Sequence, residues 1–161
     1  MITHQKHTSG NCYSVVGDTY RIIISGKETN GEYAVIDMMV PPGGGPGPHS
    51  HTDIHESFYV VEGEVEFTTE QGKYTARKGD FINIPKGGDV HAFKNVSGSI
   101  AHLLCTVMPS GLEEFFAEAG VLVEAGTYLP HPELSEEDKK KLQAAAEKHG
   151  QKLFPPGYLD K

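Results

Sequence analysis

Two histidines separated by one residue, with a glutamate five positions further on, constrain this chain more than any other feature. They are His49, His51 and Glu56, in the run Pro46-Gly47-Pro48-His49-Ser50-His51-Thr52-Asp53-Ile54-His55-Glu56. Side chains alternate between faces along an extended backbone, so His49 and His51 share one face and Ser50 takes the other. A turn at Thr52-Asp53 then returns Glu56 alongside them on the next strand. Two neutral imidazoles and a carboxylate meeting at one point make a first-row metal site with open positions. The competing reading is a polar loop that happens to be rich in histidine, and a second stretch downstream weighs against it.

That stretch runs from Gly79 to Asn95 and carries Pro85, Gly87 and His91. Together the two stretches resemble the paired motifs of the cupin superfamily. Gly43, His49, His51, Glu56 and Gly63 sit at the spacing of the first motif, and Gly79, Pro85, Gly87, His91 and Asn95 match the second. One departure stands out: three residues separate Gly87 from His91 where the family pattern has two, and Gly88 is the alternative glycine. The segment order is a PPGGG lead into HSH, then HESFYVVEGE, MPSGLEEFF and an acidic C-terminal helix. This narrows the resemblance to single-domain cupins similar to bacterial quercetin 2,3-dioxygenases. It covers roughly residues 33–108.

The pattern of residues points to the same architecture on separate grounds. Short β-branched and aromatic runs, at Thr19–Ser25, Glu32–Val40, Phe58–Val61, Val65–Thr69, Phe81–Ile84, His91–Phe93 and Ile100–Met108, alternate with Gly-, Asn- and Ser-rich turns. Such spacing predicts a small antiparallel barrel or jelly roll. In the run at 32–40, Ile36 and Met38 are assigned to the interior and Asp37 to the outside; Gly26–Gly31 reads as a turn. The Pro- and Gly-rich segment 41–48 reads as a barrel corner that aims His49 inward, since it runs straight into the histidines. After residue 108 the character changes. Ser110 and Glu113 have capping-box spacing ahead of Leu112, Phe115 and Phe116, and Ser135 precedes an acidic first turn in a helix that Gly150 stops. The expected fold is all-β, a cupin-type antiparallel β-barrel with C-terminal helices packed outside. It is expected as one domain over 1–161, with the barrel over about 33–108 and a helical extension over about 110–155.

Composition narrows the partners. A net charge of -8 argues against nucleic acid and against an anionic membrane surface. No apolar run approaches the roughly 20 residues that span a bilayer. The first ten residues lack the apolar stretch of a secretory signal, and two cysteines are too few for a disulfide framework. A cytoplasmic, reduced protein is the expectation. Cys105 reads as a small buried hydrophobe.

The resemblance adds His91 to the site and implies that His49, His51, Glu56 and His91 bind one divalent transition metal per chain. Imidazole and carboxylate donors are compatible with Fe, Mn, Ni, Cu, Co or Zn, and without a thiolate in reach a structural zinc is not expected. Glu56 is open to three roles: ligand, catalytic base, or both in turn. His55 should point away from it, and His102, lying among apolar residues, reads as a satisfied core or surface histidine. Met38, Phe58, Ile84 and Phe93 are candidates for an apolar pocket that accepts an aromatic small-molecule substrate. The resemblance implies a metal-dependent dioxygenase that cleaves a flavonol or another enolisable aromatic with O2. The alternatives are a non-catalytic metal-containing cupin that binds a small ligand for sensing or storage, and a metal-dependent isomerase.

The resemblance also implies paired barrels, and a strand at 32–40 buried on both faces agrees with it, so a homodimer is expected. Light scattering should return twice the chain mass; a monomer mass across a wide concentration range would remove this expectation.

Overall fold

The computed structural model describes residues 1–160. The chain begins with β1 (Cys12–Val15), β2 (Asp18–Ile24), the single helical turn α1 (Gly26–Thr29), β3 (Ala34–Val40) and β4 (His49–His51). It continues with β5 (His55–Glu62), β6 (Glu64–Thr69), β7 (Gly72–Arg77), β8 (Phe81–Ile84), β9 (His91–Lys94) and β10 (Ala101–Met108). Then come α2 (Leu112–Ala119), β11 (Val121–Val123), α3 (Glu136–Lys148) and β12 (Gln151–Leu153). One sheet has seven strands in the order β11-β1-β2-β3-β10-β5-β8, and the other has five in the order β12-β4-β9-β6-β7. Neighbours within each sheet pair antiparallel. The two sheets form a jelly-roll-like cupin fold.

Period-two alternation fills the space between the sheets. β10 turns Ala101, Leu103, Cys105 and Val107 inward, and β6 turns Val65 and Phe67 inward. Phe58 of β5, Phe67 of β6 and Phe93 of β9 meet with ring centroids 5.1–5.6 Å apart, so aromatic contacts tie the sheets at the centre. On β5 the same alternation that buries Phe58 and Val60 buries Glu56, and this places a carboxylate inside the barrel.

On β3, Ile36 and Met38 face the interior as expected and Asp37 faces out, yet Asp37 is also buried. Arg21 from β2 bonds its Oδ2 through Nε at 2.9 Å, and His102 from β10 bonds Oδ1 at 2.8 Å. Burial alone would raise the Asp37 pKa; the bonds from His102 and Arg21 outweigh it and hold the carboxyl below its ordinary range. His102 is thus a structural partner of Asp37.

The corner at 41–48 is stitched to the rest of the barrel. Gly43 N–H donates to Asn95 O at 2.7 Å, and Asn95 N–H donates to Gly44 O at 2.9 Å. Gly45 has φ 121°, and a Cβ there would fall 2.1 Å from Phe93 O, so the turn requires glycine. Fully buried Asn95 uses its amide to bond Val40 O and Ser99 O at 2.8 and 2.7 Å. The motif asparagine therefore locks the corner.

Three local readings need correction. Gly26–Gly31 is not a plain turn: Ser25 and Glu28 form a capping box that winds Gly26–Thr29 into one helical turn, closed by Asn30 at φ 53°. The capping box expected at Ser110 and Glu113 does not form. α2 starts one residue later, at a Gly111 cap with no side-chain bond, and Glu113 instead accepts from Gly111 N–H and, across to α1, from Gly26 N–H. The extension after residue 108 is not wholly helical, because β11 and β12 join the edges of the two sheets. The Ser135 cap of α3 does form, with Asp138 completing a capping box, and α3 packs against α2 and β12 with Ala145 and Ala146 buried. Among the described residues no helix is long and apolar enough to cross a membrane.

Candidate metal centre

β4 is three residues long and fully buried. It presents His49 and His51 inward, and His49 lies opposite His91 across the β4–β9 pair. Glu56 comes from the other sheet. The expected turn at Thr52-Asp53 does return the chain, but to a strand facing β4 across the barrel and not to one hydrogen-bonded beside it. The extra residue before His91 is absorbed by Gly87 and Gly88, both at positive φ, and Gly87 N–H is anchored to Thr52 O at 3.0 Å.

The ligand atoms of His49, His51, Glu56 and His91 all lie within 4.8 Å of one another, and all four residues are buried. Backbone carbonyls set two of the tautomers. His49 Nδ1 donates to Gly47 O and His91 Nδ1 to Asp89 O, each at 2.9 Å, which leaves both Nε2 lone pairs free for the cluster. Glu56 Oε2 sits 3.2 Å from His51 Nε2 and 3.3 Å from His91 Nε2. The approach to His51 lacks hydrogen-bond geometry, so both ring nitrogens of His51 are buried without a hydrogen-bond partner. A buried, unsatisfied imidazole is costly. A ligated cation removes that cost at Nε2 and accounts for the convergence of three nitrogens and an oxygen, so the cluster suits a single metal ion.

The electrostatics agree with a donor role. Burial, and then the neighbouring His91 and His51, push the His49 pKa down to about 3, which keeps the ring neutral and its lone pair available. Burial alone would raise Glu56, but hydrogen bonding from His51 and His91 outweighs it and holds the carboxylate below its ordinary range. Cys105 Sγ lies 3.5 Å from Glu56 Oε1, and burial raises its thiol pKa well above the usual value. It is therefore a protonated donor to Glu56, a role the sequence did not signal. His55, adjacent to Glu56, points outward to Asn83, as the alternation requires.

Of the four residues assigned to an apolar pocket, Met38, Phe58 and Phe93 line one cavity of about 220 Å³ together with His49 and Glu56. Ile84 does not. It lies in a separate recess with His91 and Asp89, because β8 pairs with β5 on the side away from β3. The remaining walls come from segments that sequence reasoning left outside the site: Tyr20 on β2, Phe115 and Phe116 on α2, and Gln151, Leu153 and Phe154 at and beyond β12. Tyr20 stacks on Phe116 with centroids 4.2 Å apart, so α2 closes the barrel mouth.

A jelly roll holding three histidines and a glutamate between its sheets defines a class of metal-binding β-barrel. Residues 36–107 match the family model described as the cupin domain, and this chain carries a cupin domain. It is 25% identical over 114 residues to the quercetin 2,3-dioxygenase of Bacillus subtilis, a stretch covering 71% of this chain but only 33% of that enzyme. Among solved structures, the polyketide cyclase RemF from Streptomyces resistomycificus superposes with a TM-score of 0.61 at 18% identity, over 87% of this chain and 92% of that one. A sugar phosphate isomerase from Silicibacter pomeroyi superposes with a TM-score of 0.53 at 22% identity, over 59% and 61%. These likenesses show the fold.

Two predictions follow from this geometry. His91→Ala should lose most bound metal, measured by elemental analysis, while circular dichroism shows an intact barrel; full occupancy would remove His91 from the ligand set. Asp18, buried in the cavity wall, is pushed up to about 6 by burial, against opposing bonds from Tyr20 and Gly45. The folded state thus holds a proton that the unfolded state releases between pH 3.8 and about 6. Stability from this group is greatest below that window and falls as pH rises through it, by about 3 kcal/mol in all. Asp18→Asn should be more stable than wild type in denaturant melts at pH 8, with the difference shrinking toward pH 4.

Proposed function

We infer that this protein is a metal-dependent cupin oxygenase, a dioxygenase acting on a flavonol or another enolisable aromatic. The observation that carries the reading is the placement of Glu56 and His49 at the polar floor of a cavity whose other walls are largely aromatic and aliphatic. A flat, apolar ring system fits such walls, with one polar edge directed at the cluster. The distant likeness to a quercetin 2,3-dioxygenase supports the same reading.

The residues divide the work. His49, His51, Glu56 and His91 would hold the metal, and a divalent ion bound there polarises a ligating hydroxyl and lowers its pKa. Glu56 takes the hydroxyl proton. It is a weak base in its present surroundings, and an acidified hydroxyl suits a weak base. Cys105 S–H holds Oε1 and leaves Oε2 as the atom that faces the histidines. Phe58, Phe93 and Met38 exclude water from the reacting edge.

The test is O2 consumption per bound metal, in wild type and in Glu56→Gln, against flavonols and other enolisable compounds. The variant keeps one ligating oxygen but has no basic carboxylate, so metal should be partly retained while turnover falls roughly 10²-fold or more. Equal activity per metal would remove Glu56 as the base. Absence of O2 uptake with every compound would assign the chain to the ligand-binding class.

A further inference from the structure

Among the described residues, four buried side-chain nitrogen or oxygen atoms lack a hydrogen-bond partner. Two are the ring nitrogens of His51, which belongs to the metal cluster. The other two, Asp18 Oδ1 and Gln151 Nε2, belong to residues lining the same 220 Å³ cavity. Buried polar atoms are nearly always paired, so two such exceptions on one cavity wall call for a common explanation.

Each is held in place by its surroundings. Gln151 is the first residue of β12 and lies opposite His51 in the β12–β4 pair. Paired residues face the same side of a sheet, so the Gln151 amide shares the inward face with the metal-site histidines. Asp18 is 4% exposed. Its Oδ2 accepts from Tyr20 OH at 3.1 Å and from Gly45 N–H at 3.0 Å, and these bonds fix the carboxylate and leave Oδ1 over. The room beside Oδ1 exists because residue 44 has no side chain: a Cβ there would fall 2.2 Å from it.

The geometry points to Gln151 and Asp18 as the specificity residues of this cavity, taking a ligand with an apolar, ring-sized body, an oxygen acceptor opposite Gln151 Nε2 and a hydroxyl donor opposite Asp18 Oδ1. This rests on the reading that the cavity beside the metal cluster is the substrate cavity. Its small size sets the body: about 220 Å³ lies below the roughly 300–1,000 Å³ of sites for drug-sized molecules, so one or two fused rings fit best. Gln151, beside His51, meets the oxygen at the metal-facing edge, and Asp18 meets a second substituent. A ligand lacking that hydroxyl leaves Oδ1 buried and unpaired, which is how a site rejects a close analogue.

The probes are 3-hydroxychromone, a two-ring enolisable compound, and its 6- and 7-hydroxy and 6- and 7-methoxy derivatives. Binding is measured by anaerobic calorimetric titration of the metal-loaded protein. Wild type should bind at least one hydroxy derivative about tenfold or more tighter than the matching methoxy derivative, the scale of a hydrogen bond to a charged group. Asp18→Asn should reduce that ratio to about threefold or less while binding the parent compound as wild type does. Gln151→Leu should weaken all the probes about tenfold and keep the ratio. The greater stability expected of Asp18→Asn at pH 8 separates lost recognition from lost fold. A wild-type ratio near one, an unchanged ratio in Asp18→Asn, no weakening in Gln151→Leu, or no binding of any probe would each overturn the assignment. The expected ratios without O2 uptake would support the specificity pair and sink the dioxygenase reading alone.

Discussion

The structure turns on one arrangement across the barrel: a carboxylate from one sheet buried against imidazoles from the other. Glu56 lies 3.2 and 3.3 Å from His51 and His91, inside a core otherwise filled by Phe58, Phe67, Phe93 and aliphatic side chains. A charge at that depth is tolerable only when paired and hydrogen-bonded. The supports are all in place: carbonyls at Gly47 and Asp89 that set the histidine tautomers, the Cys105 thiol on Oε1, and the glycine corner that brings β4 inward.

Much of this was legible in the sequence where the physics is local. Period-two alternation put His49 and His51 on one face and turned His55 away from Glu56. Turn residues marked the barrel corner, and the Ser135 cap and Gly150 stop bounded the last helix. What could not be read is what depends on pairing between distant segments. Nothing near Cys105 in the chain says that β10 will lie beside β5 and lay its thiol on Glu56. Ile84 has the right character for a pocket wall, but strand order sends it to the other side of β5. The three residues of β12 are too short and polar to stand out as a strand, yet they place Gln151 beside the histidine strand. Ser110 shows the limit of local rules in reverse: the spacing for a cap is present, and Glu113 bonds to another helix instead.

The fold leaves the reaction open, since the superposed structures include a cyclase and an isomerase on the same barrel. The discriminating chemistry lies in the walls above the cluster. Those walls are drawn from β2, α2 and the segment around β12, largely outside the stretch 36–107 that matches the cupin domain. The conserved-type barrel supplies a reactive point, and the flanking segments supply the shape that chooses what reaches it.

The shortness of β4 has a consequence for how the molecule is assembled. Its three residues are held on one side by β9 and on the other by β12, about a hundred positions further along the chain. Closing so long a loop costs little more than closing a shorter one, because the entropy grows only logarithmically, but such distant contacts form slowly. The order of events to expect is hairpins such as β6–β7 first, the aromatic centre next, and the histidine strand settling last between its neighbours. A cation gripping donors from both sheets would then act as a rivet, joining two halves that the backbone alone leaves to meet across a gap.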